Sequence, residues 1–287
     1  MKKKWIPEPD EFFIGYLAEA PEKTSTFLRR VLLAAGAAVV IISFVLVNSQ
    51  RPFSMSEFDY GTYTAVEGYI FSYPVPHLKV SSLDSTGTTN YQTILLVGFG
   101  KAGADRTLTN FESQLGALEG KFVKLSGQLI HGNGKALLQL SEDRIPEVLQ
   151  QRANYKNSSN MIHVDSISHI SGEIVDPKCF FGVMKPGEGK PHRSCAIRCI
   201  AGGIPPVFHA SGNSDYFLLL DENFQPVNER VLDMVGDNIE LTGKVIHWDD
   251  WKILLIKNES LKTQAITSKL TRNLASMEKG MTQCGTN

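Results

Sequence analysis

The chain contains two copies of one short sequence pattern. Residues 120–131 read GKFVKLSGQLIH, and residues 236–247 read GDNIELTGKVIH. A Lys-x-Leu-Leu sequence follows shortly after each copy. Self-similarity of this kind indicates two related structural units, each built from the same elements in the same order. The identical positions are Gly120 and Gly236, Leu125 and Leu241, Gly127 and Gly243, Ile130 and Ile246, and His131 and His247.

The elements predicted around the repeat follow one order in both copies. Residues 66–70 and 170–174 predict the strand that opens each unit, and apolar runs that begin at Tyr91 and Tyr216 predict a later strand. The alternation in FVKLSGQLI predicts a half-buried strand downstream. Short helices are expected at residues 110–118 and 227–234, and a two-strand hairpin ends each unit. This order resembles the oligonucleotide/oligosaccharide-binding (OB) barrel, in which three strands, a helix and two more strands follow one another.

We therefore expect a mainly β protein with two tandem OB-like β-barrel domains. The first should span residues 54–146 and the second residues 165–260, with a polar boundary between them and a mobile tail at residues 261–287. The second copy alone carries a Cys/His-containing helical insert after its first strand. OB-like barrels serve many purposes, so the fold does not fix a function.

One apolar run near the N-terminus predicts a transmembrane helix. Residues 31–47 read VLLAAGAAVVIISFVLV, which as a helix would span roughly 26 Å, and flanking residues extend the expected span to 27–48. Basic residues precede this run, whereas only Arg51 follows it closely, so residues 1–26 should be a cytoplasmic or interfacial segment. The basic residues are Lys2, Lys3, Lys4, Lys23, Arg29 and Arg30.

The expected location is the bacterial inner membrane, with a single pass and the C-terminal domains in the periplasm. A cleaved signal peptide is the alternative; the long segment before the run and the missing A-x-A site disfavour it. Aromatic residues before the run suit either the lipid headgroup region or a partner membrane protein. The chain carries 29 basic and 30 acidic residues, so no nucleic-acid partner is expected.

Four residues of the insert form the candidate metal site: Cys179, His192, Cys195 and Cys199. Pro191 can open a helix and Gly202 can close it, and on such a helix His192, Cys195 and Cys199 share one face. Cys179 then arrives from the end of the preceding strand. The expected cofactor is one metal ion, copper or zinc, because thiolates and imidazole are the ligands these ions prefer. Met184 and His209 are further donors within reach.

Two other interpretations of the cysteines stay open. Cys179 can form a disulfide with Cys195 or Cys199, which an oxidising periplasm permits. Alternatively, Cys195 and Cys199 can act as a redox pair, although their spacing is C-x-x-x-C and no thioredoxin pattern surrounds them. The remaining cysteine, Cys284, lies in the polar tail.

The insert resembles small, uncharacterised bacterial periplasmic or secreted domains that carry a D-x-x-C opening and an H-x-x-C-A-x-x-C-x-x-G-x-P segment. The resemblance implies an extracytoplasmic location and a shared Cys/His site, and it implies no reaction. It covers about a sixth of the chain. The matching residues here are Gly172, Asp176, Cys179, His192, Cys195, Ala196, Cys199, Gly202 or Gly203, and Pro205.

The remaining polar and aromatic candidates have structural explanations. We expect Tyr216, Trp248 and Trp251 to cap a barrel core, Asp249 and Asp250 to form a turn, and His131 and His247 to lie at the surface. No constellation of catalytic residues is evident, so an enzyme is not expected.

The sequence thus suggests a non-catalytic accessory or assembly subunit of a membrane complex, respiratory or redox in kind, with the inner membrane and an integral membrane protein complex as partners. The alternatives are a free-standing copper or zinc binding protein, a thiol–disulfide enzyme and an envelope glycan-binding module.

Overall fold

The computed structural model describes residues 20–49, 56–83, 89–150, 161–212, 215–257 and 260–261. The chain divides into two compact units, Met1–Phe53 and Ser54–Asn287. The aromatic segment before the apolar run, most of the polar boundary and the tail with Cys284 lie outside the described residues.

In the first unit, the described residues form one helix, α1 (Glu22–Ser49). It starts before the predicted span, and none of its residues is buried. A helix of 28 residues with this apolar composition is long enough to cross a membrane. By length and composition α1 is therefore a candidate membrane span, although a signal sequence near an N-terminus would pass the same test.

The second unit begins with a closed barrel of five strands. These are β2 (Thr64–Phe71), β3 (His77–Leu83), β4 (Thr89–Val97), β5 (Phe122–Gly132) and β6 (Lys135–Leu140). They close in the order β2-β3-β4-β6-β5, in which only β4 and β6 run parallel. Helix α2 (Asp105–Leu115) connects β4 to β5, and the short strands β1 (Ser56–Phe58) and β7 (Glu147–Val148) pair with β5.

The second barrel repeats this arrangement. Its strands are β8 (Met161–Val175), β9 (Val207–Ala210), β10 (Tyr216–Asp221), β11 (Asn238–Trp248) and β12 (Trp251–Ile256). They close in the order β8-β9-β10-β12-β11, and again only the third and fifth strands run parallel. Helix α4 (Asn228–Val231) and a 3₁₀ turn at Leu232–Met234 connect the third strand to the fourth, as α2 does in the first barrel. The prediction of a mainly β chain with two barrels is confirmed.

Strand β8 is longer than the sequence suggested. Residues before 165 were expected to form a polar boundary, but β8 pairs with β11 from Met161 to Glu173, and two irregularities in the register accommodate its length. His169 therefore lies in a strand, where its Nδ1 is 2.9 Å from Thr242 Oγ1.

The repeated glycines Gly127 and Gly243 lie where one strand pairs with two neighbours. Gly127 of β5 is paired with Thr64 of β2 and with Leu140 of β6, and Gly243 of β11 occupies the same place in the second barrel. A Cβ atom at Gly127 would lie 2.6 Å from Gln139 O, and one at Gly243 would lie 2.4 Å from Leu255 O. Glycine is needed at both positions because the neighbouring backbone is too close for a side chain.

The two barrels pack against each other through strands that are buried on both faces. In β4 and β6, alternate residues point into the core of the first barrel or into a core shared by both barrels. In β10 and β12, alternate residues point into the core of the second barrel or into the same shared core. This double burial accounts for the continuous apolar runs of these strands. The residues of the shared core include Leu95, Val97, Leu137, Leu218, Leu220, Ile253 and Leu255.

Candidate metal centre

The segment between β8 and β9 carries the predicted site residues and lies beside the shared core. It contains a π-helical turn at Cys179–Val183 and helix α3 (Gly189–Ala201). Cys179 and Cys199 belong to the shared core, whereas Ala196 and Ile200 of α3 pack into the core of the second barrel. Since α3 contacts both cores, the face that bears its cysteines is held in a fixed orientation.

The π-helical turn is fixed at both ends. Asp176 follows β8 directly, and its Oδ1 accepts a hydrogen bond from Lys178 N at 2.9 Å. Its carbonyl oxygen accepts another from Phe180 N at 2.9 Å. Phe181 is fully buried against Trp251 and Tyr216. Single turns of π-helix are frequent at functional sites, and this one directs Cys179 toward α3.

The structure brings the four predicted ligands together around Cys179. The donor atoms of Cys179, His192 and Cys195 lie within 4.8 Å of one another, and so do those of Asp176, Cys179 and Cys199. Cys179 thus joins two overlapping groups of donors. All three cysteines are free thiols here, so the structure contains no disulfide among the described cysteines. The group of Cys179, His192 and Cys195, two thiols and an imidazole, can hold one metal ion.

Two buried polar atoms of this cluster have no hydrogen-bond partner among the described residues. They are His192 Nε2 and Asp176 Oδ2, and the residues that carry them are 3% and 0% exposed. A buried polar atom without a partner costs roughly 1–3 kcal/mol, and such atoms are rare in native proteins. A metal ion held with Cys179 and Cys195 would give the His192 imidazole a partner.

In the metal-free protein, His192 is in the protonation state that binds a metal, whereas Cys179 is not. Burial lowers the pKa of His192 below its usual 6.5, so its imidazole is neutral at neutral pH and can donate its electron pair. Hydrogen bonding with Cys199, burial and the carboxylate of Asp176 raise the pKa of Cys179 far above its usual value. Cys179 is therefore a thiol in the metal-free state and must lose a proton to bind a metal.

The first barrel contributes a cation that the sequence did not predict. Lys101, in the loop between β4 and α2, places its Nζ 2.9 Å from Cys195 Sγ. This hydrogen bond raises the pKa of Lys101. The side chain of Lys178 is buried and donates to Gly98 O at 2.9 Å and to Gly100 O at 2.7 Å.

Asp176 was also absent from the predicted ligand set. It lies three residues before Cys179 and falls within the D-x-x-C motif, so a helical turn at that place would have brought the two side chains together. Lys101 lies far from the insert in sequence, and no local pattern indicates its position.

His209 belongs to none of the donor groups that could hold a metal ion among the described residues. Met184 is 43% exposed. His209 stacks on Tyr216 and its Nδ1 lies 3.0 Å from Glu188 Oε2. His131 and His247 lie at the surface as expected; His131 Nε2 is 3.9 Å from the carboxylates of Glu57 and Asp59.

The aromatic and acidic candidates have structural roles, as predicted. Tyr216, Trp248 and Trp251 are buried in the shared core, so they do not form an exposed platform. Asp249 and Asp250 form the turn between β11 and β12 and bind residues of the first barrel.

Searches for a matching family model, a matching curated protein and a matching solved structure each found none. The fold and the site define the class: an apolar N-terminal helix followed in the chain by two closed five-strand barrels, with a Cys/His cluster that can hold a metal ion.

Proposed function

We propose that this protein is a membrane-anchored metal-binding protein that holds one copper or zinc ion and serves as a non-catalytic accessory subunit of a membrane complex. The observation that carries the metal-binding part is the pair of unpartnered buried atoms, His192 Nε2 and Asp176 Oδ2, inside a cluster of free thiols. The ion would be held by Cys179, His192, Cys195 and Cys199, with Asp176 beside Cys179.

The donor set favours a soft or borderline ion. Thiolate sulfur prefers Cu(I) and zinc, whereas calcium and magnesium prefer oxygen ligands. Cys179, His192 and Cys199 are buried, and Cys195 is half-buried. A mostly enclosed site supports storage or stabilisation of an ion more than hydrolytic catalysis, which needs an open coordination position.

The barrel topology supports an OB-like identity for both domains. Five strands close in the order first, second, third, fifth, fourth, with a helix between the third and the fourth strands. The sequence suggested the order of elements along the chain, three strands, a helix and two strands, and OB-like barrels commonly serve as binding scaffolds. The segment with the cysteines is then an addition between the first and second strands of the second domain.

The charge distribution around α1 supports a periplasmic location of the barrels. Basic residues flank the N-terminal end of the apolar run, which favours a cytoplasmic N-terminus in the bacterial inner membrane. Three features support an accessory role beside an integral membrane protein. Aromatic residues lie near the N-terminus, α1 is a candidate membrane span, and no catalytic constellation is recognised in the described residues.

The metal-binding proposal is tested with the full chain, extracted in detergent and purified without chelators. Elemental analysis should give about one equivalent of copper or zinc per chain. Cys195→Ser and Cys199→Ser together should abolish it, whereas His209→Gln should retain it because His209 pairs with Glu188. Metal-free wild-type protein that also fails to take up added zinc or Cu(I) would refute the proposal.

The accessory role needs a separate experiment. After gentle extraction from native membranes, the protein should migrate in native gels with an integral membrane protein complex, and crosslinking should place it beside a membrane-spanning subunit. Migration as a free single chain under those conditions would exclude this role and favour a free-standing metal-binding protein.

Thiol–disulfide exchange is the second candidate, because Cys179 and Cys199 lie together and Cys195 is half-buried. A metal-free protein that isolates with one disulfide and exchanges it with dithiols would favour this activity. Retention of a metal with all three thiols reduced would count against it.

A further inference from the structure

One loop of the first barrel, residues 98–103, lies against the segment that carries the metal ligands. Lys178 Nζ, beside the cysteine cluster, donates to the carbonyl oxygens of Gly98 and Gly100. Gly103 N donates to Gly202 O at 2.8 Å, just beyond the end of α3. The loop is therefore fixed to the ligand segment at three backbone positions.

The contact depends on glycines because the two backbones approach very closely. A Cβ atom at Gly202 would lie 2.0 Å from Lys101 O, and one at Gly103 would lie 2.5 Å from Gly203 O. Gly202 has a φ of −76°, which any residue can adopt, so only the close approach requires glycine there. The sequence of the ligand segment is thus adapted to receive the loop.

The loop places the positive charge of Lys101 beside Cys195, the least buried of the proposed ligands. Lys101 Nζ lies 2.9 Å from Cys195 Sγ, and Cys195 is half-buried while Cys179, His192 and Cys199 are buried. The exposed side of the cluster is therefore the side on which Lys101 lies.

An occupied site needs such a charge. Three thiolates and one neutral imidazole around a divalent ion leave a net charge of about −1, and around Cu(I) about −2. Negative charge in a mostly buried site is costly unless a cation or hydrogen-bond donors balance it. Lys178 also places a positive charge near Cys179 and Cys199, but its Nζ is hydrogen-bonded to the loop carbonyls, whereas the Nζ of Lys101 points at a ligand sulfur.

We infer that the first barrel forms part of the metal centre. Its 98–103 loop holds the Lys101 ammonium against Cys195, and this positive charge offsets the negative charge of the occupied site and slows release of the metal. Lys101 is a positioning residue, because it acts through Cys195 and does not bind the ion. This inference rests on the proposed metal-binding function and extends it to the control of metal exchange.

The test compares Lys101→Gln, Lys101→Arg and Lys124→Gln in the full chain in detergent. Lys124 is an exposed lysine on β5 of the same barrel and serves as the matched control. Each protein is loaded with zinc, and the rate of transfer to a chromogenic chelator is measured together with the affinity by competition. Lys101→Gln should release zinc about tenfold faster and bind it about tenfold more weakly, as for other supporting groups around metal ligands.

The conservative variant separates a charge effect from a structural one. Lys101→Arg should recover wild-type exchange to within about twofold, and Lys124→Gln should not differ from wild type. With Co²⁺ in place of zinc, the sulfur-to-cobalt absorption band should shift in Lys101→Gln and return in Lys101→Arg. Equal exchange rates and spectra in wild type and Lys101→Gln would overturn the inference while leaving the metal site intact.

A second variant moves the loop and leaves Lys101 unchanged. Gly202→Ala places a methyl group against Lys101 O and should accelerate zinc release to a similar extent. If wild type binds zinc and Gly202→Ala releases it no faster, the loop does not control exchange and the inference fails. If wild type binds neither zinc nor Cu(I), the proposed function fails, and this inference fails with it.

Discussion

Lys79 Nζ lies 3.0 Å from Asp249 Oδ2 across the two barrels, and the two side chains are only 5% and 3% exposed. Lys79 is on β3 of the first barrel, and Asp249 is in the β11–β12 turn of the second. Removing one partner of a buried ion pair leaves an uncompensated charge, which costs about 3–5 kcal/mol. We therefore predict that Asp249→Asn lowers the free energy of unfolding of the two-barrel unit by roughly 3 kcal/mol.

Asparagine is the suitable substitution because Asp249 has a φ of +49°, which asparagine tolerates. Urea denaturation followed by tryptophan fluorescence measures the effect. The double variant Lys79→Met/Asp249→Asn, which buries neither charge, should recover a large part of the loss. An unchanged midpoint in Asp249→Asn would mean that this pair does not hold the barrels together.

The repeated glycines give a second prediction. Gly127→Ala and Gly243→Ala should each destabilise the protein by about 1–3 kcal/mol, because a methyl group at either position meets a backbone carbonyl of the next strand. Thermal unfolding of both variants measures the cost. Ser126→Ala, one residue away and already carrying a Cβ, should be close to wild type. A stable Gly127→Ala variant would show that β5 can shift away from β6.

The sequence predicted the elements that depend on local chemistry. The repeat around Gly127 and Gly243 indicated two equivalent barrels. Pro191, near the start of α3, and Gly202, just after its end, indicated a helix with His192 and the cysteines on one face. Both features follow from spacing and turn residues, which can be read from the chain itself.

The contacts between the two barrels could not be predicted from the sequence. An apolar run such as the one in β4 has the same pattern whether its outer face meets a helix or another barrel, so the shared core was not predicted. Lys101 becomes part of the site only when the first barrel packs on the second. Trp251 likewise looked like a core residue of one barrel, but its Nε1 donates to Thr93 O of the other at 3.0 Å.

Asp176 provides a third prediction, at the metal centre. In Asp176→Asn the amide oxygen can still accept the hydrogen bond from Lys178 N, so the turn should fold, but the charge beside Cys179 is lost. We expect zinc affinity to fall by roughly tenfold, measured by chelator competition on the full chain. Glu240→Gln, an exposed acidic position near His169, is the control and should bind zinc normally. Wild-type affinity in Asp176→Asn would exclude Asp176 from the centre.

The last prediction concerns protons. Burial lowers the pKa of His192, so this ligand is already neutral at neutral pH and has no proton to give up. The pKa of Cys179 is raised by its hydrogen bond with Cys199 and by burial, so the metal must displace its proton. Metal affinity should therefore rise with pH, by up to about tenfold per unit for each thiol proton released, throughout the range below the raised pKa of Cys179.

Calorimetry of zinc binding in buffers of different ionisation enthalpy counts these protons directly. Cys179→Ser should release about one proton fewer than wild type, whereas Cys284→Ser should release the same number because Cys284 is not among the proposed ligands. Zinc affinity that stays constant between about pH 6 and pH 8 would contradict the prediction, because it would mean that the ligand thiols are already ionised in the metal-free protein. Proton release from Cys179 would instead show that metal occupancy of this site responds to the pH of its compartment.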